Sequence, residues 1–78
     1  MVDRLEVIIK EGDKCFEQGN LAGAIELYDC AIRIDPKAWQ AWNNKGYALN
    51  ELQRFAEAVV AYQKAIGLVA RIKTGCKL

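Results

Sequence analysis

The sequence contains no histidine, a single proline, and no CxxC pair among its three cysteines. Without histidine it lacks the most common general base and a frequent metal ligand. A zinc site needs about four closely grouped ligands, whereas Cys15, Cys30 and Cys76 are dispersed along the chain. Acidic residues such as Glu6 and Asp13 are more typical of a solvated helix face than of catalysis. We therefore expect no metal, no cofactor and no enzymatic activity.

The charges nearly balance, since eleven Lys and Arg residues stand against ten Asp and Glu residues, for a net charge of +1. This balance gives no electrostatic basis for binding nucleic acid or an anionic membrane. No apolar run approaches the roughly 18 residues that span a bilayer, and the charged start differs from a secretory signal. An odd number of cysteines without such a signal favours reduced thiols. We expect a soluble, cytoplasmic protein with neither nucleic acid nor membrane as partner.

Apolar residues recur at spacings of three and four in four segments, which is the spacing of one helical face. Gly19-Asn20 is typical of a glycine that ends one helix and an asparagine that caps the next. Asp35-Pro36 is typical of the end of a second helix and the start of a third. Gln53-Arg54 is a weaker boundary. The pattern predicts an all-α fold with helices over residues 3–18, 21–34, 36–51 and 54–73.

The same pattern occurs twice, with the second copy 34 residues after the first. Glycine and alanine at the repeated positions allow helices to approach closely, while larger residues fill the spaces between them. We expect the two repeated tyrosines to pack in the core rather than to stack on bases, because no basic stripe accompanies them. The repeated pairs are Gly12 with Gly46, Ala24 with Ala58, Tyr28 with Tyr62, Ala31 with Ala65, and Ile32 with Ile66.

The second copy resembles the tetratricopeptide repeat through Trp42-Asn-Asn-Lys-Gly46-Tyr-Ala-Leu49 and the later Phe55, Ala58, Tyr62 and Ala65. The first copy matches from Gly12 to Pro36, although Ile8 replaces the family's tryptophan. The resemblance implies two tandem helical hairpins in a short right-handed α-solenoid whose last helix is extended. Residues 1–78 would form one domain, with copies at about 5–38 and 39–72 and a tail at 73–78.

In that family the first helix of each copy lines a concave groove that holds a peptide or a partner helix, without catalysis. Four carboxylates against one lysine would favour a basic or neutral ligand. A polar face that is only solvated is the alternative. Only Asn44 fits the residues by which some members hold a terminal carboxylate, so we do not expect that ligand. By resemblance, the groove residues are Glu6, Ile9, Lys10, Asp13, Phe16, Glu17, Gln40, Asn43, Asn44, Tyr47, Asn50 and Glu51.

The second copy lacks the stop signal of the first, because Asp35-Pro36 is replaced by Val69-Ala70. The last helix should therefore extend and present additional apolar area, at Val60, Leu68, Val69 and Ile72. Two explanations are open. The chain pairs with a second copy through this helix, with or without domain swapping, and then acts as a homo-oligomerisation element. Alternatively, it belongs to a longer repeat array whose further residues cover the helix.

Overall fold

The described residues fold into four consecutive helices joined by short turns. A computed structural model describes the backbone of residues 3–77 and the side chains of residues 3–71. The helices are α1 (Arg4–Glu17), α2 (Leu21–Ile34), α3 (Trp39–Glu51) and α4 (Phe55–Lys77). The predicted all-α class is therefore confirmed.

The first two helices agree with the predicted bounds to within a residue, whereas α3 and α4 differ from them. α3 begins at Trp39 rather than at residue 36, because Asp35 Oδ1 accepts from Lys37 N and Asp35 O from Ala38 N, both at 3.0 Å. These bonds form a turn ahead of the helix. α4 continues beyond residue 73, so Thr74-Gly75 does not end it. A glycine inside a helix costs only about 1 kcal/mol.

The turns within the two hairpins have the same backbone geometry. Gly19 adopts a φ of 83°, and Gln53, at the matching position of the second copy, adopts a φ of 64°. Asn20 N then donates to Cys15 O at 2.8 Å, and Arg54 N donates to Leu49 O at 2.9 Å. The repeat thus extends to the hydrogen bonds that close each helix, and the weak boundary at Gln53-Arg54 is confirmed.

Small residues occupy the contacts between helices, as predicted. A Cβ atom placed on Gly12 would lie 2.6 Å from Tyr28 Cε1, and one on Gly46 would lie 2.7 Å from Tyr62 Cε1. Each tyrosine ring therefore packs directly on a glycine backbone in the neighbouring helix. The alanines that face other helices are also buried: Ala24, Ala31, Ala38, Ala41, Ala48, Ala58, Ala61 and Ala65.

Each helix packs mainly on its neighbours in sequence: α1 on α2, α2 on α3, and α3 on α4. α1 and α3, the first helices of the two copies, also touch each other directly. This contact brings the polar side chains of α1 and α3 onto a common surface, where the groove was expected.

Candidate functional site

The surface shared by α1 and α3 contains an open depression with a volume of about 380 Å³. Its lining combines aromatic rings, two carboxylates and one amide. Tyr28 contributes from α2, although its side chain is only 1% exposed. The lining residues are Asp13, Phe16, Glu17, Tyr28, Asn44 and Tyr47.

A second depression of about 390 Å³ adjoins the first, because Asp13 lines both. It lies towards the start of α1 and is lined by Asp3, Leu5, Glu6, Ile9, Lys10, Asp13 and Gln40. We call the two depressions together the groove. Of the residues expected from the sequence, the groove brings together Glu6, Ile9, Lys10, Asp13, Phe16, Glu17, Gln40, Asn44 and Tyr47.

Three expected groove residues lie elsewhere. Asn43 lines a separate depression between α3 and α4, beside Trp39 and Ile66. Asn50 and Glu51 are exposed at the C-terminal end of α3 and line neither part of the groove. The groove is therefore built mainly on α1 and the first part of α3.

Asp13 connects three helices at the centre of the groove. Its Oδ1 accepts a hydrogen bond of 2.5 Å from the hydroxyl of Tyr28 on α2 and one of 3.0 Å from Nδ2 of Asn44 on α3. Burial, together with the hydrogen bond to Asp13 and its negative charge, raises the pKa of Tyr28. No sequence pattern indicated this network, because it depends on how the three helices pack.

The groove carries fewer available charges than its residue types suggest. Lys10 Nζ lies 3.3 Å from Glu6 Oε1, one helical turn away, and both side chains are well exposed. Asp13 keeps its negative charge, but its Oδ1 already accepts hydrogen bonds from Tyr28 and Asn44. Glu17 is also exposed and lines the first depression. Its carboxylate has neither an ion pair nor a hydrogen bond among the described residues.

The two copies present different chemistry at matching positions. Tyr47 takes the place in copy two that Asp13 has in copy one, and it packs edge-on against Tyr62 with ring centroids 5.8 Å apart. Tyr47 is 54% exposed, so its ring borders the depression as an apolar surface. One end of the groove is thus acidic and hydrogen-bonded, and the other is aromatic.

The four residues expected to form an oligomer contact do not share one face. Val60 lines a depression beside Trp42, Lys45 and Leu49, whereas Val69 lines the one between α3 and α4. Nine residues separate them, which is about two and a half helical turns and therefore opposite sides of α4. Leu68 is partly buried, and the side chain of Ile72 lies outside the described residues. Contact through these residues stays a prediction.

Three other properties of the described chain bear on function. Among its side chains, no group of three or more His, Cys, Asp or Glu residues is placed to hold a metal ion. No helix in this part of the chain is long and apolar enough to cross a membrane. Cys15 and Cys30 are partly buried free thiols.

Comparison with known proteins agrees with this architecture. A family model for the tetratricopeptide repeat matches residues 10–71. The mouse protein O-mannosyl-transferase TMTC1 is 33% identical over 64 residues, which is 82% of this chain and 7% of that protein. The uncharacterized protein MJ0572 of Methanocaldococcus jannaschii is 33% identical over 57 residues, 73% of this chain and 66% of that protein. The chain thus spans a small part of the first relative and about two thirds of the second. With four helices in two matching hairpins and a family match over most of its length, the chain belongs to the tetratricopeptide repeat family.

Proposed function

We propose that the groove binds an extended peptide or a partner helix, and that the ligand is neutral or basic. Tetratricopeptide repeats are typically non-catalytic protein-interaction modules, and this chain carries two of them. The location of the ligand and its charge go beyond family membership. They rest on the composition of the groove.

The observation that carries the proposal is the depression at the junction of α1 and α3. Its volume of about 380 Å³ accommodates one or two side chains of a ligand, and it opens to solvent along the groove. The exposed ring of Tyr47 offers apolar contact area at one edge. Elsewhere in the lining, Glu17 offers a negative charge and Asn44 offers an amide. Aromatic side chains beside polar groups are typical of peptide-binding surfaces.

The preference for a basic ligand follows from the charges of the groove. Its one lysine, Lys10, is paired with Glu6, so no unpaired cation among the described groove residues is available to an acidic peptide. Glu17 supplies negative charge next to the rings of Phe16 and Tyr47. A lysine or arginine side chain would gain both a carboxylate partner and contact with an aromatic face.

Fluorescence anisotropy with labelled peptide libraries of differing net charge tests the proposal. Basic peptides should bind more tightly than acidic ones, and Glu17→Gln should weaken basic peptides about two- to fivefold. Tyr47→Ala should weaken all ligands more than about fivefold, while Tyr47→Phe, which keeps the ring, should bind normally. Glu26→Gln removes a carboxylate from the exposed side of α2 and serves as the matched charge control.

Two outcomes would contradict the proposal. If wild-type protein binds no library peptide, the groove has no such function. If Glu17→Gln and Glu26→Gln weaken binding equally, the peptides respond to overall charge and not to the groove.

A further inference from the structure

A continuous row of side chains on α4 lacks the cover that the matching row on α2 receives. The row consists of Phe55, Val59, Tyr62, Ile66 and Val69, which we call the α4 stripe. Their spacing of four, three, four and three residues is that of a coiled-coil seam. In the described part of the chain, α4 packs on α3 and on no other helix. Phe55, Val59 and Ile66 are 57%, 51% and 67% exposed.

The first copy shows what this position requires. The residues of α2 that correspond to the stripe are Leu21, Ile25, Tyr28 and Ile32, and all are buried or partly buried. Ala38 and Ala41 share a core cluster with Tyr28, and Ile32 packs against that cluster. Ile25 packs against the cluster that contains Leu49 of α3. The same face of a hairpin is therefore an interior surface in copy one and an exposed surface in copy two.

We infer that the α4 stripe is the contact surface of a homodimer, in which α4 of one molecule pairs antiparallel with α4 of a second molecule. This inference does not depend on ligand binding in the groove. In such a pair Tyr62 lies near the twofold axis. Phe55 opposes Val69 of the other molecule, and Val59 opposes its Ile66. In the contacts of Phe55 with Val69 and of Ile66 with Val59 a larger side chain meets a smaller one, and at the axis the two Tyr62 rings meet each other, so the surface pairs with itself.

Charge also favours self-pairing. The charged residues of α4 with described side chains are Glu57, Lys64 and Arg71, which recur every seven residues on the side opposite the stripe. Beside the stripe lie Ala56 and Gln63, both exposed and uncharged. Within the described residues, two molecules therefore meet along this face without like-charge repulsion. Gln63 takes the place of Asp29, which in copy one binds Lys45 at 2.7 Å.

A head-to-tail dimer, in which α1 of a second molecule covers α4 as α3 covers α2, is disfavoured by the side chains of α1. α3 approaches α2 closely because Ala38, Ala41 and Ala48 are small and buried. The residues of copy one at the corresponding positions of the repeat are Arg4, Val7 and Lys14. Long charged side chains there would hold the helices apart and bury charge without a partner. A second molecule therefore binds through its α4 and not through its α1.

Light scattering and sedimentation equilibrium on the full chain test the inference. Wild-type protein should have twice the monomer mass. Ile66→Glu should weaken dimerisation at least about a hundredfold, because both copies carry the buried charge. The matched control is Val60→Glu, which places the same charge on α4 at a residue that is 55% exposed but outside the stripe. It should leave the dimer intact.

Complementation tests the antiparallel register independently of any single variant's folding. Val59→Glu and Ile66→Lys should each be monomeric alone. When mixed they should form a heterodimer, because the glutamate introduced into one copy would oppose the lysine introduced into the other, and the remaining pair would stay apolar. Circular dichroism establishes that each protein is helical.

Three results would overturn the inference. A helical wild-type protein that stays monomeric at high concentration would show that a second copy does not cover the stripe. Equal dissociation by Val60→Glu and Ile66→Glu would place the contact elsewhere on α4. A dimer disrupted by Lys14→Glu but not by Ile66→Glu would indicate head-to-tail pairing.

Discussion

Replacing Gly12 by alanine tests whether the first hairpin is as tightly packed as its geometry indicates. The new Cβ atom would lie 2.6 Å from Cε1 and 2.9 Å from Cδ1 of Tyr28. These distances are too short for carbon atoms in contact, so the ring or the helix must move. Tyr28 is buried, and its hydroxyl is bonded to Asp13 at 2.5 Å. The ring is thus fixed at both ends.

The expected loss is the difference between two effects. Alanine stabilises a helix interior by about 1 kcal/mol relative to glycine, whereas overpacking a core costs about 1–3 kcal/mol. With a fixed ring the cost lies near the upper end, so Gly12→Ala should lower the free energy of unfolding by about 2 kcal/mol. For a domain of this size that corresponds to a fall in Tm of roughly 10 °C.

Two other glycines provide matched controls. At Gly46 the Cβ would lie 2.7 Å from Tyr62, but that ring is only partly buried and packs on the exposed Tyr47. In the monomer this ring has room to turn, so Gly46→Ala should change the stability of the monomer by less than about 1 kcal/mol. At Gly67 nothing lies within 4 Å of the added atom, so Gly67→Ala should stabilise by up to about 1 kcal/mol.

Thermal and urea unfolding followed by circular dichroism would measure all three variants. A Gly12→Ala protein as stable as Gly46→Ala would contradict this prediction, because Tyr28 would then be free to move. A destabilising Gly67→Ala would contradict it too, because the helix-propensity contribution would then have the wrong sign.

The turn at Gln53 and the hydroxyl of Tyr28 give two further predictions. Gln53→Gly should raise the free energy of unfolding by about 1 kcal/mol, because a glycine adopts the φ of 64° without strain; Gly19→Gln should lower it by a similar amount, and the opposite signs in urea unfolding are the check. The raised pKa of Tyr28 means that the unfolded chain releases this proton at lower pH, near 10, than the folded chain does. Its contribution to stability is therefore complete below about pH 10 and is lost as the pH rises further. Tyr28→Phe should make unfolding in urea less sensitive to pH above about 10, and an unchanged slope would contradict this.

The fold was predictable because helix spacing and repeat register are local properties. Gly19-Asn20 marks a helix end by residue type alone, since glycine readily adopts a positive φ and asparagine caps the next helix. Gln53 has no such preference, and only its correspondence to Gly19 in the repeat indicated a turn. The start of α3 was placed too early because Pro36 is compatible with both a first helical turn and the turn that the structure contains.

The groove was predictable only in outline. The family resemblance placed most of its residues on α1 and α3, but it treated Asp13 as a carboxylate available to a ligand. The hydroxyl of Tyr28 and the amide of Asn44 both donate to Oδ1 of that carboxylate, and no sequence pattern specifies a contact between three helices. On α4, hydrophobicity alone grouped Val60 with Val69, whereas helical rotation places them on different sides.

The order in which the helices pack has a consequence for how the chain folds. Because each helix packs mainly on its sequence neighbours, the tertiary contacts join adjacent segments of the chain. Such low contact order favours folding in microseconds to milliseconds. The junction between the copies, where Asp13, Tyr28 and Asn44 meet, needs α1, α2 and α3 together. Neither hairpin alone therefore contains the groove.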